Sequence, residues 1–182
     1  MNSLQGHFLV AAPYQNDPNF IKVAILVVGH TDRGAFGVIV NGSSKECSRF
    51  QQRNCRWCSP SKLRFFFGGP VTGPLMAVHT NAALGEKQFL PGVFFSAKEK
   101  NVLELMWQAQ QPCKIFMGYA GWGPGQLDYE VERGVWRVVV ATPERIFSDA
   151  SDLWEQLSRQ ATRMQMRTMF NIKYIPADPL LN

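Results

Sequence analysis

The chain has 182 residues, a formal net charge of +5, 46% hydrophobic and 18% charged residues. That is enough apolar content for a sizeable buried core, and it excludes an intrinsically disordered chain. The longest purely apolar run, residues 23–28, is far too short for a membrane helix, and Met1-Asn2-Ser3-Leu4-Gln5 lacks the basic, apolar pattern of a secretion signal. The expectation is one domain over residues 1–182, cytoplasmic, with no membrane partner.

Gly6-His7-Phe8-Leu9-Val10-Ala11-Ala12 reads as an opening strand that Pro13 and the turn-rich Asn16-Asp17-Pro18-Asn19 interrupt. Residues 20–28 and 35–40 are β-branched, apolar runs on either side of His30-Thr31-Asp32-Arg33-Gly34, which predicts a hairpin whose strands are buried on both faces. The second run ends at Asn41-Gly42.

Residues 43–62 have no periodicity and hold a basic, cysteine-containing insert. Between Lys45 and Arg64 six basic residues (Lys45, Arg49, Arg53, Arg56, Lys62, Arg64) stand against one acid, Glu46. Cys47, Cys55 and Cys58 include one C-x-x-C, and Cys113 is remote. Zinc sites of this kind need a second such pair or paired histidines, so no metal and no cofactor are assigned.

Leu63-Arg64-Phe65-Phe66-Phe67 reads as a strand stopped by Gly68-Gly69-Pro70, and residues 75–80 as a shorter one. Ser96 with Glu99 has capping-box spacing and predicts a helix with Val102, Leu103 and Met106 on its apolar face and Pro112 beyond its end. Residues 114–117 then lead as a strand into Gly118-Tyr119-Ala120-Gly121-Trp122-Gly123-Pro124-Gly125-Gln126-Leu127. Four glycines here demand tight turning or close approach. The segment could aim backbone N–H groups at an anion, or let Trp122 fold over a neighbouring strand; it matches neither the phosphate-binding P-loop nor the dinucleotide fingerprint.

Leu127 and Val131 predict a short helix ended by Gly134, and residues 135–141 a strand. Thr142-Pro143-Glu144 starts another helix. Leu153, Leu157, Ala161 and Met164 trace one face of a longer terminal helix, on which Arg159, Arg163 and Arg167 recur every four residues. This row and the insert, with Arg49, Arg53 and Arg56, are candidate contacts for nucleic-acid phosphates, although no known DNA- or RNA-binding motif accompanies them. His7, His30 and His79 are isolated in sequence, so no catalytic residue is assigned; an enzyme would require two of them to meet Asp or Cys side chains in one cleft.

The stretches Gly6-His7-Phe8-Leu9-Val10-Ala11, Asp17-Pro18-Asn19-Phe20, Ala35-Phe36-Gly37-Val38-Ile39-Val40-Asn41 after the residue 30–34 loop, Gly68-Gly69-Pro70-Val71, and residues 118–127 resemble, in this order, the YqgE/AlgH family of bacterial proteins. The resemblance implies an α+β fold around a mixed, largely antiparallel sheet with packed helices. The family that the chain resembles has no established enzymatic activity; some members are described as transcriptional regulators, which does not by itself imply DNA contact. Lys22-Val23, the insert and a tail from about residue 170 depart from the family pattern.

The resulting expectation is a non-enzymatic module that binds a protein or a small anionic ligand. Its surface would draw on Asp17, Pro18, Asn41, Gly69, Pro70, Gly121, Trp122, Gly123, Gly125 and Gln126. Nucleic-acid binding through the basic segments and an undiscovered enzyme are the alternatives.

Overall fold

Strict alternation in the first strands divides their side chains between two cores. In the computed structural model, which describes residues 3–42, 65–108 and 112–170, β1 spans His7–Ala11, β2 Ala24–Thr31 and β3 Gly34–Ile39. Phe8, Val10, Ala24, Leu26, Val28, Val38 and Val40 enter one buried cluster, while Leu9, Ala11, Ile25, Val27 and Ile39 enter another. A strand with both faces covered has no polar side to present, which is why these runs are continuously apolar.

Among the described residues the strands form two five-stranded sheets. The first has the order β10-β1-β2-β3-β9, with β9 at Ala120–Trp122 and β10 at Trp136–Val140, and every pairing in it is antiparallel. The second has the order β4-β8-β5-β7-β6, formed by β4 (Phe65–Phe67), β5 (Met76–His79), β6 (Lys87–Leu90), β7 (Val93–Ser96) and β8 (Cys113–Met117). Only its β4–β8 pair is parallel.

Four helices are seen among the described residues: α1 (Glu99–Gln108), α2 (Gln126–Glu132), α3 (Pro143–Ile146) and α4 (Leu153–Phe170). The central core draws on both sheets, through Phe8, Leu26, Phe66, Val78, Phe95 and Phe116, and takes in Ile146, Leu153, Leu157 and Ala161 from α3 and α4. Leu127 of α2 covers the far side of the first sheet, and Val102, Leu105 and Met106 of α1 cover the far side of the second.

Local differences from the sequence reading have identifiable causes. Residues 20–22 form a turn rather than strand, β2 starts only at Ala24, and it runs on through His30 and Thr31 to a two-residue turn, Asp32-Arg33, with Thr31 opposite Gly34. A bulge between Val27 and Gly29 reverses the phase of β2. Even-numbered residues before it face the central core; His30, after it, meets Asp128 of α2 instead.

Ser96 ends β7 and does not cap α1. Glu86 Oε1 accepts the N–H groups of Ala97 and Lys98 and the Asn101 amide, at 3.2, 2.8 and 3.0 Å, and so supplies the cap from outside the helix. Leu105 joins Val102 and Met106 in the buried stripe, while Leu103 is only partly covered. On α4, Leu153, Leu157 and Ala161 are buried, but Met164 is 44% exposed because the helix runs past the edge of the body. The basic, cysteine-containing insert, with Arg49, Arg53, Arg56, Cys47, Cys55 and Cys58, and the tail beyond Phe170 lie outside the described residues. No helix among the described residues is long and apolar enough to cross a membrane.

Candidate functional site

Two parallel strands, β4 and β8, run directly into glycine, at Gly68 and Gly118. Gly68 donates its N–H to Met117 O at 2.7 Å, and its carbonyl accepts Ile39 N–H at 2.8 Å, pinning the corner to the end of β3. Gly69 adopts φ +149°, and a Cβ there would lie 2.2 Å from the Tyr119 carbonyl carbon. Only glycine permits both the dihedral and the approach. Val71 and Tyr119 then exchange N–H···O bonds of 3.0 Å.

The Tyr119 ring is the meeting point of two corners. It lies so close to Gly73 on one side and Gly121 on the other that a Cβ on either would stand 3.3 or 3.2 Å from it. The exposed residues Pro70, Val71, Thr72, Gly73 and Pro74 therefore come beside the exposed Gly121, which leads through Trp122 into the exposed Gly123, Pro124, Gly125 and Gln126. Phe36 holds the ring from below, edge to face at 6.5 Å.

Beneath that surface the turn is locked by a carboxylate. Trp122 is 8% exposed and Trp136 2%, and both indole N–H groups donate to Glu130 Oε2, at 2.9 and 2.8 Å. Gln126 Nε2 donates to Glu130 Oε1 at 2.8 Å, and Gln126 Oε1 accepts Gly123 N–H at 3.0 Å. The two indoles stand edge to face at 6.1 Å, and Phe20 packs on Trp136 at 5.5 Å. Trp122 thus belongs to the support rather than the surface. The Gly123 amide, one of the N–H groups that an anion at this turn would use, is already bonded to Gln126, and α2 behind it is a single seven-residue helix.

Asn41, Asp17 and Pro18 are placed elsewhere. Asn41 Oδ1 accepts Ala24 N–H at 2.8 Å and its Nδ2 donates to Lys22 O at 2.9 Å, so it clamps the start of β2 to the end of β3. Asp17 Oδ1 accepts from Asn19 N and Nδ2, and its carbonyl accepts Phe20 N–H, a turn closed on itself with Pro18 exposed inside it. These corners brace the β1–β2 connection. Gly69 and Gly121 lie against Tyr119, which the sequence reading did not single out; Pro70 follows Gly69, and Gly123, Gly125 and Gln126 belong to the next turn, which Glu130 locks.

The histidines are occupied. His79 is wholly buried; its Nδ1 accepts Asn81 N–H at 3.2 Å, so its Nε2–H donates to Ser96 Oγ at 3.0 Å, and the Ser96 hydroxyl in turn donates to Leu84 O at 2.6 Å. The proton order is the reverse of what a serine nucleophile needs. Burial holds the His79 imidazole below its ordinary value. His30 Nε2 lies 3.4 Å from Asp128 Oδ2, while its Nδ1 accepts Leu4 N–H at 3.1 Å, leaving no free ring nitrogen to act as a base. His7 Nδ1 bonds Gln5 O. Burial pushes the Cys113 thiol up to about 12, so it is not a nucleophile at neutral pH. Among the described residues no three His, Cys, Asp or Glu side chains cluster as metal ligands. Arg159, Arg163 and Arg167 are exposed on α4, with Arg159 4.0 Å from Asp152.

Known proteins of similar sequence and shape share this architecture. A UPF0301 protein of Streptomyces coelicolor is 32% identical over 190 residues, covering 100% of this chain and 97% of its own. One from Cereibacter sphaeroides is 33% identical over 155 residues, covering 80% and 84%. The solution structure of the AlgH protein from Pseudomonas aeruginosa superposes with a TM-score of 0.68 at 24% identity, over 97% of both chains. A crystal structure of a Corynebacterium diphtheriae protein gives 0.67 at 24% identity, over 88% and 87%. At that identity the likeness is one of fold. The AlgH-like family model matches residues 8–165, and with its UPF0301 relatives this places the chain in the AlgH-like family.

Proposed function

We propose that the protein is a non-enzymatic, cytoplasmic binding module with a regulatory role, and that it recognises a partner protein through the surface around Tyr119. The observation that carries this reading is that Gly73 of one exposed Gly/Pro corner and Gly121, which leads into the other, flank a single aromatic ring, and that the second corner is held by Glu130, bonded to two indoles and an amide. A surface held in one shape loses little conformational entropy on binding, which favours recognition by shape. Among the described residues His30, His79 and Ser96 are, by contrast, engaged in structural bonds.

The test is affinity capture with the wild-type protein and with T72R and P124R. Both positions are exposed and outside the support, so the variants should keep the wild-type unfolding midpoint while losing the partner that wild type retains. Identical captured proteins for all three would remove this surface from consideration.

A further inference from the structure

The last turns of α4 leave the body of the molecule. Thr162 is tied to the sheet, accepting from Arg137 Nη1 at 2.9 Å, and every residue from 163 to 170 is exposed. At 1.5 Å per residue these eight residues extend about 12 Å beyond the packed part of the helix. Met166, Met169 and Phe170 stand at i, i+3 and i+4 and are 46%, 77% and 65% exposed, so they share one side of the helix. Arg159, Arg163 and Arg167 follow one another at i+4, and Arg163 and Arg167 each precede an apolar member, Met166 and Phe170, by three residues. No acid occurs from residue 159 to residue 170.

We infer that this end of α4 docks on an anionic phospholipid surface, with Met166, Met169 and Phe170 entering the acyl boundary and the arginines meeting lipid phosphates. Charge complementarity selects the occupant: a second copy of this chain would set like charges against each other, whereas a bilayer carrying acidic lipids takes up both the positive row and the apolar trio. Arginine suits the boundary because its stem is apolar and its guanidinium can bind phosphate bidentately. A nucleic-acid duplex would engage the arginines and leave the methionines and Phe170 in water, so the interleaving favours lipid over the nucleic-acid alternative. Attachment of this kind is peripheral and needs no spanning segment.

The test is sedimentation of the full-length protein with vesicles of pure phosphatidylcholine and with vesicles in which phosphatidylglycerol is about one lipid in three. Binding is expected to the acidic vesicles alone and to weaken as salt is raised. The R163Q/R167Q and M166S/F170S variants should each lower that affinity about tenfold or more, and M166S/F170S should do so without shifting the unfolding midpoint, because Met166 and Phe170 are exposed. Absence of binding, or equal binding to both vesicle types, overturns the inference. So does full retention of vesicle binding by M166S/F170S; if R163Q/R167Q then also abolishes a gel shift of duplex DNA, the row belongs to nucleic acid.

Discussion

A fully buried histidine must satisfy both ring nitrogens from its surroundings, and His79 does so with one backbone N–H and one hydroxyl. That arrangement stabilises the neutral ring, so its folded-state proton affinity lies below that of the unfolded chain. The unfolded state therefore binds more protons as pH falls below the ordinary histidine value of about 6.5. Stability contributed by His79 is complete above that value and is lost progressively toward the lower folded value, at no more than about 1.4 kcal/mol per pH unit. Urea unfolding between pH 7 and pH 5 should show this decline in wild type and a shallower one in H79Q, even though H79Q is less stable throughout. Equal slopes would show that His79 does not carry the dependence. Glu130 plays the corresponding role for the two indoles. Its i,i+4 relation to Gln126 was readable from spacing, but nothing in the sequence pairs Trp122 with Trp136, fourteen residues apart, through one carboxylate oxygen.

At the level of elements, α1 shows how a correct helix can be expected for the wrong local reason. The Ser96/Glu99 spacing suggested a reciprocal cap, but Ser96 is committed to β7, to His79 and to Leu84 O. The helix start is instead satisfied by Glu86, ten residues before Ser96 in sequence. Replacing Glu86 by Ala should cost about 1 kcal/mol and speed hydrogen exchange at the Ala97 and Lys98 amides. S96A should destabilise by about 1–3 kcal/mol through His79, which loses its acceptor, and leave exchange at those two amides slow. The opposite pattern would restore the serine cap. The β6–β7 hairpin went unread although its signal was present: Pro91-Gly92 separates two apolar runs, Leu90 faces Val93, and Gly92 has φ +72°. Strand β9 was hidden for a different reason. Three residues inside a glycine-rich run carry no periodicity, and Ala120, Gly121 and Trp122 become a strand only because β3 offers an edge to pair with.

Across the molecule, α4 divides into a packed half and a projecting half, and the division can be measured. Leu157 is fully buried in the core shared by both sheets, so L157A should cost about 2–5 kcal/mol in chemical denaturation. M164A, on the same helical face but 44% exposed, should cost well under about 1 kcal/mol. Similar losses for the two would mean that the helix is packed along its whole length. Both residues fit the same 3.6-residue pattern, so periodicity alone could not tell where the supporting sheet ends.

The sequence by itself determined which segments are strands buried on both faces, where glycine must turn the chain, and that α4 carries a basic row, because these follow from side-chain alternation, φ preference and helical spacing. Only the tertiary structure decided that the strands separate into two sheets, that Tyr119 joins two distant corners while Asn41 and Asp17 brace a different connection, and that the histidines are already engaged. Each of those outcomes depends on contacts between residues far apart in the chain, whose partners are chosen by how whole faces bury against one another rather than by any local pattern.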